Sequence, residues 1–152
     1  MAGYRRVLVG TDGSATSDLA VRHAAELAVA SGAELVVVSA YLRDAQHERD
    51  LAEQREADPE DLRWAVTDAG EAEDHLRVAR GAAEAAGVAK VHTRAEEGDP
   101  ADVLLSTAEE LLADVVVVGS KGMTSAARFL LGSVPNKVSH HAPCDVLIVR
   151  TT

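Results

Sequence analysis

The feature that most constrains this chain is a run of four valines, Val115-Val116-Val117-Val118, entered from Asp114 and stopped at Gly119. Four β-branched residues in succession offer no polar face. Such a strand is buried on both sides, the condition of a parallel sheet with helices over each face. Arg6-Val7-Leu8-Val9-Gly10 reads the same way as a first strand and Leu35-Val36-Val37-Val38-Ser39-Ala40 as a second. Asp145-Val146-Leu147-Ile148-Val149-Arg150 reads as the last, and a weaker strand is predicted over Val88 to Thr93.

Helical periodicity fills the intervals. From about Ala15 to Ser31 the residues Leu19, Ala20, Ala24, Leu27 and Ala28 recur on one face, with Ser14, Thr16 or Ser17 as cap and Gly32 as the stop. After Gly70, Ala72, Leu76, Ala79, Ala83 and Ala86 mark a helix ending at Gly87. Asp99-Pro100 opens another, with Val103, Leu104, Ala108, Leu111 and Leu112 inward, and a last helix is expected from Ser133 to His141. Five strands alternating with four helices predict a doubly wound α/β sheet in one domain over residues 1–152. At 152 residues such a domain buries roughly 70% of its unfolded surface. An acidic insertion at about 43–70 is the least readable part, with Asp58-Pro59-Glu60 as a candidate short helix start.

The segment after the valines carries the chemistry. Gly119 and Gly122 leave backbone N–H groups uncovered, so a phosphate can approach the main chain closely. Gly132-Ser133 stands where a helix begins, with Ser133 as cap or hydroxyl donor, and helix starts attract anions. In doubly wound sheets ligands bind beyond the carboxyl ends of the strands, where neighbouring crossovers run opposite ways. If the first and fourth strands are neighbours, Thr11-Asp12 and the stretch from Gly119 to Gly122 line one crevice.

Charge narrows the partner class. The formal net charge is -10, against nucleic acid or an anionic membrane as partner. Residues 43–75 hold 12 of the 25 acidic groups and 4 of the 15 basic ones, a local balance of -8 that leaves about -2 for the rest. A phosphate ligand elsewhere therefore meets no strongly hostile field. The single cysteine, Cys144, is expected as a buried thiol, and His23, His47, His75 and His92 show no metal spacing. His140 and His141 point about 100° apart on a helix end, a poor chelate. No signal-peptide core or bilayer-length apolar run occurs, and a cytoplasmic location is the expectation.

At these residues the chain resembles the universal stress protein family, nearly end to end. Gly119, Gly122, Gly132 and Ser133 fit the spacing G-x2-G-x9-G-(S/T) of its nucleotide-binding members, and Val9 to Ser14, Gly98-Asp99-Pro100 and Pro143 to Arg150 are also similar. The resemblance implies a sheet in the order 3-2-1-4-5, an adenine nucleotide (ATP or cyclic AMP, with Mg²⁺ a companion of ATP) and a homodimer paired through residues 145–150. Carried over, Gly10, Thr11 and Asp12 would face the nucleotide and Ala40 would meet adenine through its backbone. Val118, Gly119, Ser120 and Gly122 would wrap ribose and phosphates, and Gly132, Ser133 and Val134 would hold phosphates. Two departures stand out: Ala40 is smaller than the branched residue common there, and Lys121-Gly122-Met123 replaces the usual Arg or His type of turn.

Each candidate has a plainer role beside it. The glycines serve as turn residues, Asp12 as an Asx-turn acceptor, and Lys121 as a solvated loop lysine. A carboxylate beside phosphates is repulsive, so a ligand-facing Asp12 accepts a ribose hydroxyl or lies against Mg²⁺. There is no Gly-Lys-Ser/Thr ending of a P-loop, no G-x-G-x-x-G after a strand, no G-x-S-x-G and no H-E-x-x-H. Three functions remain: a nucleotide-binding sensor or regulator, a slow Mg²⁺-dependent ATPase or phosphotransferase, and a dimeric interaction scaffold. The enzyme reading is the thinner one, since Arg128 is the one arginine in the glycine segment and no base is positioned beside it.

Overall fold

The computed structural model describes residues 3–42, 67–120 and 133–151. Its elements are β1 (Arg6–Gly10), α1 (Ala15–Ser31), β2 (Glu34–Tyr41), α2 (Ala69–Ala85), β3 (Val91–Glu97), α3 (Pro100–Glu110), β4 (Val115–Gly119), α4 (Ser133–His141) and β5 (Asp145–Val149). The strands form one parallel sheet in the order β3-β2-β1-β4-β5, as expected. The conditional step in the sequence argument is met. β1 lies beside β4, with Val7, Leu8 and Val9 opposite Val115, Val116 and Val117.

Alternation along the strands explains the apolar runs. Val7, Val9, Leu35, Val37, Val115 and Val117 point to a core shared with Ala20, Val21, Ala24 and Ala28 of α1 and Leu76, Ala79 and Ala83 of α2. Leu8, Val36, Val38, Ala40, Val116 and Val118 point the other way, onto Ala101, Val103, Leu104 and Ala108 of α3 and Val134 and Val138 of α4. Both faces are covered, and the one buried polar side chain on β1, β2 and β4, Ser39, spends its hydroxyl on Thr11 O.

Caps set the helix ends. Ser14 accepts from the Ser17 amide at the start of α1, and Gly32 closes the helix with a left-handed φ of 66°. Asp68 caps α2 and Asp99 caps α3, whose first residue is Pro100. At the amino ends of the strands, the Asp114 carboxylate accepts from the amides of Arg5 and Arg6 at 2.8 and 2.9 Å, while Asp114 N donates to Arg6 O. That exchange fixes the β1–β4 register.

Four expectations need correction. The third strand starts at Val91, not Val88, and runs to Glu97. Val88 donates its amide to Ala83 O in the helix exit and is buried before pairing begins. Ala86 is exposed, since α2 has ended and the chain is turning. Leu112 is 80% exposed with a φ of 53°, because α3 stops at Glu110 and the following turn swings it outward. Cys144 is half-buried, between α4 and the edge strand β5, and burial raises its thiol pKa. The 43–66 part of the acidic stretch, with its candidate helix at Asp58-Pro59, lies outside the described residues.

Candidate functional site

The crevice opens where β1 and β4 end and the chain leaves in opposite directions: α1 covers one face, α3 and α4 the other. It is lined by Gly10, Val117, Val118 and Gly119 from the strand ends, by Thr16 and Ser17 from the first turn of α1, and by Leu104, Val134 and Pro135. The cavity itself is small, about 20 Å³. No charged side chain is in this lining among the described residues. Two helices start here, α1 at Ala15 and α4 at Ser133, and the positive ends of their dipoles favour an anion.

The loop after β1 is held by β2 and by its own short side chains. Thr11 N donates to Val38 O at 2.9 Å, and Ser39 Oγ donates to Thr11 O at 2.9 Å, so the loop hangs from β2. The hydroxyls of Thr11 and Ser17 lie 3.3 Å apart, Gly13 N donates to Thr11 Oγ1, and Ser17 Oγ donates to Ser14 O. Thr11 is thus buried, with its polar atoms engaged. Asp12 is different. It is 2% exposed; Oδ1 accepts from Ser14 N at 2.9 Å, and Oδ2 is buried without any hydrogen-bond partner. An orphaned carboxylate oxygen costs more than a mean hydrogen bond contributes, which marks it as a site awaiting a donor.

Beside Asp12, Gly13 has a φ of 77°, and a Cβ there would stand 2.5 Å from the imidazole of His75 on α2. The ring therefore lies flush on the loop backbone. His75 Nδ1 is a second buried atom lacking a partner.

The remaining expected residues fall as follows. Gly10, Val118 and Gly119 line the crevice, and Val134 does so from the first turn of α4. Ser133 is the first residue of α4 and is exposed. Ala40 is buried near the carboxyl end of β2, opposite Glu96. Ser120 is buried and faces the chain after β5: Thr151 N donates to Ser120 Oγ at 3.0 Å. Lys121, Gly122, Arg128 and Gly132 lie outside the described residues. Thr16, Leu104, Pro135, His75 and Thr151 were not singled out as site residues. Leu104 read as core and Thr16 as a cap, and both readings are compatible with lining the crevice. His75 and Thr151 arrive from distant elements and carry no local pattern.

Comparison with known proteins agrees with this architecture. The family model described as "Universal stress protein family" matches residues 3–150. A universal stress protein of Mycobacterium tuberculosis is 44% identical over 153 residues, covering 100% of both chains. Among solved structures, a universal stress protein in complex with cAMP superposes with a TM-score of 0.73 at 34% identity, covering 99% of this chain and 100% of the other. The universal stress protein UspA of Lactobacillus plantarum gives a TM-score of 0.75 at 26% identity, with coverage of 99% and 100%. By family match, by sequence identity and by fold, the chain belongs to the universal stress protein family.

Proposed function

We propose that this protein binds an adenine nucleotide, ATP or cyclic AMP, in the crevice between β1 and β4, and acts as a sensor or regulator rather than as a catalyst. The observation that carries the reading is the crevice itself: two helix starts and two strand ends converge on an uncharged lining at the point where the crossovers diverge. Asp12 Oδ2 supplies the complementary demand, an acceptor that a ribose hydroxyl satisfies. The cAMP complex of a relative supports the ligand class. In this reading Gly10, Asp12, Val118 and Gly119 contact the ligand from the strand ends. Ala40 meets the base through its backbone, Gly122 and Gly132 bring main-chain amides to the phosphates, and Ser133 and Val134 add those of the α4 start. Among the described residues no three His, Cys, Asp or Glu side chains come together to hold a metal, so Mg²⁺ would arrive on the phosphates of ATP. Two copies pair through β5.

Titration calorimetry with ATP and with cyclic AMP tests the reading. Saturable one-to-one binding is expected, and Gly122→Val abolishes it because a branched Cβ occupies the phosphate position. Absence of heat with both ligands, or full affinity in Gly122→Val, overturns it. Multiple turnovers of ATP with Mg²⁺ that vanish in Asp12→Ala would transfer the assignment to an ATPase.

A further inference from the structure

The two walls of the crevice are anchored to different neighbours. The loop after β1 takes its hydrogen bonds from β2, through Val38 O and Ser39 Oγ. The turn after β4 is gripped from the other side. Ser120 N donates to Val149 O at 2.8 Å, and Ser120 Oγ accepts from Thr151 N at 3.0 Å and lies 3.4 Å from Thr151 Oγ1. The methyl of Thr151 covers Gly119, where an added Cβ would come within 3.0 Å of it. The position of Gly119 and Ser120 is therefore set by β5 and the residues just past it. β5 is also the edge of the sheet, and its Leu147 is 40% exposed.

We propose that Ser120 and Thr151 form a latch through which the crevice and the open edge of β5 sense each other, so that Thr151 is a positioning residue for ligand binding. The inference rests on the nucleotide reading and adds the regulation of that site. β5 carries both halves of the connection: anything that pairs along its edge shifts Val149 and Thr151, and these move the Gly119–Ser120 wall relative to the Asp12 wall. By linkage, ligand that stiffens the wall biases pairing at the edge by the same factor. The hydroxyl of Ser120 thus serves the site by holding the wall in place.

The test is a cycle of Ser120→Ala, which removes the acceptor, and Thr151→Pro, which removes the donor N–H. Calorimetry of the full chain with cyclic AMP and with ATP at 25 °C, where circular dichroism shows each variant folded, is the readout. Each single variant is expected to lose roughly tenfold in affinity, the scale of one buried hydrogen bond, and the double variant to lose no more. Thr151→Ser, which restores both polar groups, returns the affinity. Sedimentation adds a readout that a merely structural bond would not move: nucleotide shifts the dimer dissociation constant of the wild type, and the shift disappears in Ser120→Ala. If Thr151→Pro fails to fold, Ser120→Ala, which removes the acceptor and leaves the main chain intact, carries the test with Thr151→Ser as its control. Wild-type affinity in Ser120→Ala, with the wild type binding normally, overturns the latch and leaves the nucleotide reading standing. A wild type that binds neither nucleotide overturns both.

Discussion

Asp12 and Gly13 are the residues at which local chemistry departs from ordinary turn formation. A turn needs one carboxylate oxygen, and Ser14 N uses it; the other oxygen is left buried and unsatisfied. Asp12→Asn keeps the turn acceptor and exchanges an orphaned oxygen for an equally unpartnered NH2, so the stability of the ligand-free protein changes little. The same change lowers nucleotide affinity by tenfold or more, and paired thermal melts and calorimetry separate the two effects. Gly13→Ala does the reverse. Its φ of 77° costs an alanine about 1–2 kcal/mol, and the clash with His75 adds to that. Denaturant titration should show Gly13→Ala/His75→Ala recovering the steric part and not the backbone part. The sequence shows Asp12 and Gly13 as a turn; that one oxygen of the pair is orphaned depends on burial by elements far along the chain.

At the scale of elements, legibility followed burial. The central strands β1, β2 and β4 are apolar on both faces and were readable, as were the caps at Ser14, Asp99 and Gly32. β3 was misplaced because it is an edge strand whose His92, Thr93, Arg94, Glu96 and Glu97 obey no alternation, so only pairing with β2 defines its limits. α2 was readable through alanines, and Leu76 is the one large buried side chain on its face. Leu76→Ala should cost about 3 kcal/mol in denaturant unfolding, since small neighbours cannot collapse into the gap. Across the amino ends of β1, β2 and β3, Glu34 bonds to Arg6 and lies 3.4 Å from His92 Nε2. The Arg6 guanidinium, and then His92, hold the Glu34 carboxyl below the usual glutamate pKa. A carboxyl lowered in the folded state stabilises above its unfolded pKa, and that contribution is lost as pH falls through the lowered value. Glu34→Gln should therefore melt below the wild type at pH 7, the gap closing as pH drops beneath the usual glutamate range. The difference is modest, because the partly exposed pair is screened by solvent.

For the whole molecule, strand composition conveyed the layered arrangement, while the order that puts the switch point between β1 and β4 was implied by the family resemblance, since strand adjacency does not follow from strand count and crossover handedness alone. The sequence did not convey which strand braces which wall, since hydrogen bonds such as that from Thr151 to Ser120 join residues 31 apart in sequence. If two copies pair through β5, as proposed, Leu147→Arg is a dissociating change, halving the mass seen in sedimentation while leaving the far-ultraviolet spectrum intact. The two margins of the sheet are also unlike. β3 displays ionic and hydroxylic groups, with Arg94 tied to Glu96 and Glu110, which deters any strand from docking on that border. β5 presents the exposed Leu147 between the half-buried Val146 and Ile148, with its one carboxylate, Asp145, at the first residue. A ribbon defended along one border and bare along the other lengthens from a single side. In the proposed pair a two-fold axis there would consume both open borders at once, so accretion by edge pairing would halt at two copies.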